Sequence, residues 1–188
     1  MRKTFSRRAR VATGATVLAA VAATATAFGT VSASAGPGAA GPAAASAASV
    51  TSRATTTSTH LTVDAAVKAA QAALDAAEKE NQRVTVAVVD RNGNTLVTLR
   101  GDGAGPQSYE SAERKAYTAV SWNAPTSELA GRLAGAPNLK DIPGTLFLAG
   151  AVPVTAKNAP VAGIGVAGAP SGDLDEKFAR AGAAALTR

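Results

Sequence analysis

Hydrophobic positions follow two periods along the chain from residue 60 onward. Thr62 can cap a helix running to about Glu80, with Val63, Val67, Ala70, Leu74 and Ala77 at helical spacing on one face. Val84–Asp90 is a β-branched run that predicts a buried strand. Asn92-Gly93 marks a tight reversal, and Thr95–Leu99 returns as its partner. A glycine-rich loop, Gly101–Gly105, closes on Pro106. Ser108 then caps a second helix to about Trp122, with Ala112, Ala116, Ala119 and Val120 as its apolar side. Pro125-Thr126 opens a short helix over Ser127–Leu133, and Pro137–Pro143 is irregular. Thr145–Leu148, Val152–Ala156 and Val161–Ala167 read as three more strands, with turns at Gly150 and Asn158. Asp173 caps a last helix to about Leu186. The order α-β-β-α-α-β-β-β-α, with short turns between neighbouring strands, predicts an α+β fold with five antiparallel strands among helices.

The segment before this pattern has a different character. Residues 1–59 contain no Asp or Glu and are crowded with Ala, Thr, Ser and Gly. Residues 1–35 read as a signal peptide. Five positive charges precede a mild apolar stretch, Val11–Val31, and Ala33-Ser34-Ala35 has the small-x-small form of a cleavage site. Arg7-Arg8 behind Ser6 favours the twin-arginine route, although Arg10 stands where that motif carries an apolar residue. Few large aliphatic residues occupy the stretch, which argues against a membrane anchor. Residues 36–59 lack the apolar side chains that would offset ordering entropy and read as a disordered tail. Residues 60–188 form the expected domain.

Charge changes meaning once the chain is divided. The formal net charge of +6 arises from 19 Lys and Arg against 13 Asp and Glu, and six of the basic residues precede Asp64. The domain is therefore neutral overall, which gives no support to nucleic-acid binding. With no Cys there is neither a disulfide framework nor a thiolate site. No phosphate loop appears: the glycine loop at 101–105 does not open as GxGxxG.

Three acidic pairs sit three residues apart: Asp75/Glu78, Glu110/Glu113 and Asp173/Glu176. On a helix such pairs share a face and can hold a hard cation. Asp173/Glu176 has the form of a capping box. Asp75/Glu78 reads as a solvated face paired with Lys79. Glu110/Glu113 is the metal candidate, its competing reading being a first-turn charge cluster helped by the helix dipole and by Arg114. His60, the only histidine, is either solvated or an imidazole available to iron. Lys115 is either a base or a lysine whose stem lies along the surface. A serine nucleophile would depend on His60 in a tail that holds no geometry, so no triad is expected. Composition alone does not propose haem: Cys, a core Met and a core His are missing, leaving Tyr109, Tyr117, lysines, His60 and hydroxyls such as Thr145.

The segments LTVDAAVKAAQAALDAA, VTVAVVDRNGNTLVTLRGDGA, ERKAYTAVSWNAPT and VPVTAKNAPVAGIGVAGA resemble the GlcG/HbpS family over about His60–Leu186. The resemblance implies a profilin-like five-stranded antiparallel sheet between helices, a secreted protein, and assembly as an octamer. It implies haem b as cofactor, iron ions bound at the surface, and a partner in the extracellular region of a two-component sensor histidine kinase that answers haem and oxidative stress. Carried to matching positions, Thr145 is the implied haem-iron contact, although a neutral hydroxyl is a poor axial donor. Glu110 and Glu113 are the implied iron pair, with His60 as an addition. The alternative function is enzymatic, a small-molecule lyase or haem-degrading activity on the same scaffold. The absence of an organised acid–base set weighs against it.

Overall fold

The computed structural model describes residues 47–187, so the expected leader and the tail up to residue 46 lie outside the described residues. Residues 47–60 are exposed throughout and form one short 3-10 turn, Ser52–Ala54. Four helices and four strands follow: α1 (Val63–Lys79), β1 (Thr85–Asp90), β2 (Thr95–Arg100), α2 (Gln107–Trp122), α3 (Thr126–Arg132), β3 (Ala151–Ala156), β4 (Ala159–Ala167) and α4 (Gly172–Ala184). The strands form one antiparallel sheet in the order β2-β1-β4-β3. Helices α1 and α4 pack on one face and α2 on the other, with α3 beside α2 and α4. Among the described residues no helix is long and apolar enough to cross a membrane.

The two faces of the sheet are packed differently. Val86 stands opposite Leu99 and Val166, and Val88 opposite Val97 and Ile164. These side chains meet α1, α4 and the fully buried Phe178 in the main core. On the α2 face the same strands present Ala87, Gly163 and Gly165. A Cβ at Gly165 or Gly163 would overlap the carbonyl oxygen of Ala112 or Ala116, respectively. The glycines therefore set how closely α2 lies on β4, and with it the height of every side chain α2 carries.

Four sequence expectations are corrected. The fifth strand is absent: Thr145–Leu148 is irregular and joins no ladder. Its backbone is satisfied by α2 side chains instead, Leu146 N–H donating to Thr118 Oγ1 (2.8 Å) and Thr145 C=O accepting from Arg114 Nη2 (2.8 Å). Val63 and Val67, expected on the inner face of α1, are 59% and 43% exposed. The buried stripe is Ala66, Ala69, Ala70, Ala73, Leu74 and Ala77, because α1 crosses α4 at Gly182, where only small residues fit. Two caps also shift. α2 begins at Gln107, and Ser108 lies buried inside it, donating to Gly105 C=O (2.6 Å) and pairing with Thr85 Oγ1 (2.7 Å). α4 is capped by Ser171 rather than Asp173. Glu176, expected to complete a capping box, accepts from Ser127 N–H (3.0 Å) and Oγ (2.8 Å) and so caps α3. Thr62 caps α1 as the sequence predicts, accepting from Ala65 N–H.

Candidate functional site

With its height fixed by the glycines, α2 faces the β1–β2 hairpin and the segment 142–148. Tyr117 packs against Gly93 at the hairpin turn, where φ is +88° and a Cβ would sit 2.8 Å from the ring. Beside it a cleft of about 190 Å³ is lined by Val89, Thr95, Glu113, Arg114, Tyr117 and Gly144 among others. Arg114 organises this wall. Its Nη2 holds the Thr145 carbonyl, its Nη1 lies 3.5 Å from Glu110, and its Nε is buried without a partner. Of the four candidate residues, Glu110 and the Thr145 carbonyl meet at this guanidinium, and Glu113 lines the cleft beside it.

Their surroundings differ. The Glu110 side chain is 77% exposed, whereas Glu113 is half-buried and accepts from Thr98 Oγ1 on β2 (3.1 Å). The pair can offer carboxylate oxygens to a hard cation, with Arg114 as the competing charge. His60 does not join them. It is exposed, and its Nε2 lies 2.6 Å from Ser58 Oγ. Among the described residues no group of three or more His, Asp or Glu could hold a metal. A cation on Glu110 and Glu113 would therefore complete its shell with water or another chain.

Thr145 is 1% exposed, and its hydroxyl donates to Ile142 C=O (2.7 Å). It presents no free donor atom to the surface. Apolar surface is exposed on either side of it in the chain, at Ile142 (40%) and Leu148 (52%), and separately at Tyr109 on the first turn of α2 (47%). A macrocycle needs a broad apolar support and a cation for its carboxylates; Ile142 and Leu148 are the exposed apolar groups of this segment, and Arg114 is the cation beside it. The fit is to a surface seat, since the cleft itself is too small to enclose such a group.

The sequence reading missed a second set of charges. Lys115, placed at the surface or as a base, is 2% exposed. Its Nζ donates to Asp175 Oδ2 (2.8 Å) and to Val166 C=O (3.1 Å). Burial pushes the Asp175 carboxyl above its ordinary value, against the opposing pull of Lys115 and of backbone N–H groups at Ala169 and Gly168. The signal was present: Ala112, Lys115, Ala116 and Ala119 share one helical stripe, which puts the lysine among residues that face the sheet. Gly150, at φ +138°, makes the room, since a Cβ there would sit 2.5 Å from Lys115 Nζ.

Residues 61–184 match a family model described as haem degrading protein HbpS-like. Among solved structures, HbpS is 78% identical with a TM-score of 0.73, the match covering 74% of this chain and 99% of that one. A double Glu-to-Asp variant of Streptomyces reticuli HbpS is 77% identical with a TM-score of 0.74, covering 77% of this chain and 99% of that chain. A complex of PduOC with haem is 26% identical with a TM-score of 0.62, covering 68% of this chain and 95% of that one. The curated proteins contain no match. A family model over most of the domain and relatives this similar along almost their whole length place the chain in the HbpS-like family.

Proposed function

We propose that the protein binds haem b on the wall formed by α2 and the segment 142–148, and an iron ion at Glu110 and Glu113. The observation that carries the haem reading is the wall itself. Ile142 and Leu148 are two of the few large apolar side chains left exposed among the described residues, and they flank the segment that Arg114 ties to α2, while Tyr109 on the first turn of α2 is a third. Haem, when bound, supplies a redox-active iron and a visible chromophore. The chain supplies apolar support and a guanidinium for a propionate. Thr145, the expected iron contact, must release Ile142 before its oxygen can face a ligand, and Tyr109 offers an exposed phenol as the competing donor. The HbpS family and the haem complex of PduOC support this reading.

The iron reading rests on donor chemistry and on one parallel. The Streptomyces reticuli HbpS variant replaces two glutamates three apart, and Glu110 and Glu113 are the only two glutamates so spaced here. In the fuller reading the protein is exported through a twin-arginine signal and works as a secreted octamer. There it serves as the accessory of a sensor histidine kinase, reporting haem and oxidative stress. His60 serves as an additional iron ligand only if the tail reaches another chain's Glu110 and Glu113. Haem degradation, favoured by the family's description, is the second reading. Titration of the purified protein with hemin tests both. A saturable Soret shift that weakens in Thr145→Ala supports binding through that residue, and a Soret band that decays with a reductant present supports degradation. No saturable shift rejects the proposal.

A further inference from the structure

A second cavity, of about 370 Å³, shares no residue with the Arg114 cleft. The buried Lys115–Asp175 pair forms part of its wall, together with Gln107 and Ser111 of α2 and Ser171 and Gly172 at the start of α4. Its size lies at the lower end of the range for small-molecule sites, ~300–1,000 Å³. We infer that this cavity binds a small oxyanion, a carboxylate or phosphate group, between the Lys115 ammonium, the Ser111 hydroxyl and the first amides of α4.

The argument is one of unmet donors. An ammonium carries three N–H groups. Lys115 makes two hydrogen bonds among the described residues, to Asp175 and Val166, while lining a cavity at 2% exposure. The third donor needs an acceptor, and a buried unmet donor is costly. Asp175 is not that acceptor twice over. Its Oδ2 already holds Lys115 and its Oδ1 holds Ala169 N–H at 3.0 Å. The Ser111 side chain makes no hydrogen bond among the described residues, and Ser111 lines the same cavity. Charge points the same way. The ion pair cancels, while the N-termini of α2 and α4, helices of 16 and 13 residues, both open on the cavity and favour a negative occupant. Leu148 at the cavity's edge leaves room for a short apolar substituent on the anion.

Ligand-observed NMR on the purified protein tests this, following the acetate methyl line and the inorganic phosphate line with chloride as the ionic-strength control. Saturable broadening of either line, absent in Ser111→Phe, supports the site, and which line responds tells carboxylate from phosphate. Ser111→Ala weakens affinity about fivefold, the worth of one hydrogen bond. Should Ser111→Phe fail to fold by circular dichroism, Gln107→Trp, at an exposed position on the rim, serves as the blocking variant. Broadening that does not saturate for both anions, or that persists unchanged in a folded blocking variant, overturns the inference. Neither readout uses hemin, so the haem proposal stands or falls separately.

Discussion

Removing Asp175 exposes what the buried ion pair contributes. In Asp175→Ala the Lys115 ammonium, 2% exposed in the parent, keeps Val166 C=O as its one remaining partner, and Ala169 N–H loses its acceptor. Breaking a buried pair on one side costs about 3–5 kcal/mol, because the surviving charge is left uncompensated. A domain of this size is stable by about 5–15 kcal/mol, so the variant loses roughly a fifth or more of its margin. Urea unfolding at fixed protein concentration, read by circular dichroism, gives the difference from the shift in midpoint at unchanged slope. Replacing both partners, Lys115→Met with Asp175→Leu, removes the charges together and returns stability to within about 1–2 kcal/mol of the parent. If Asp175→Ala costs less than ~1 kcal/mol, the pair is solvated in solution and the packing around Gly150 and Lys115 described above is wrong.

Asp90 gives a pH test of opposite sign to Asp175. Although burial raises its pKa, hydrogen bonds from the N–H and side chain of Asn94 and from Asn92 N–H hold it below its ordinary value of 3.8. Its contribution is therefore present above pH 3.8 and lost as pH falls through the depressed value. Asp90→Asn lowers stability at neutral pH by about 1 kcal/mol and flattens the acid side of the profile, read from urea midpoints at stepped pH. Asp175 is raised, so its favourable contribution is present below pH 3.8 and fades as pH rises through its own pKa. For the surface acids, Glu110→Ala with Glu113→Ala abolishes iron binding by metal analysis while leaving the hemin spectrum intact. Full iron loading in that variant would leave the pair as a charge cluster at the start of α2.

Local chemistry made most of this fold readable. The run of β-branched residues in β1, the Asn-Gly reversal and the glycines of β4 each determine a backbone with little help from distant parts. What escaped the sequence depends on distant partners. Thr145–Phe147 has the composition of a strand, yet Thr118 and Arg114 take its backbone bonds first. The inner face of α1 was misread because valine outranks alanine in hydrophobicity, while the close crossing at Gly182 selects for size. Glu176 fits a capping box by spacing but caps another helix, since Ser171 already serves α4. Glu110 and Glu113 share one helix, α2, as their spacing predicts. Arg114 gains its role only when the segment 142–148 folds against α2, and Lys115 only when Asp175 arrives from 60 residues away.

The haem seat is tested most directly by changing its apolar support. Ile142→Asp with Leu148→Asp places charges on the wall beside Thr145, and Val63→Asp with Val67→Asp does the same on the outer face of α1 as a control. Hemin affinity is measured by Soret titration for each folded protein. A seat on α2 and the segment 142–148 predicts at least a tenfold weakening in the first variant, about 1.4 kcal/mol, and none in the second. Equal affinity in the first variant, or a loss confined to the valine pair, would contradict a haem site on this wall.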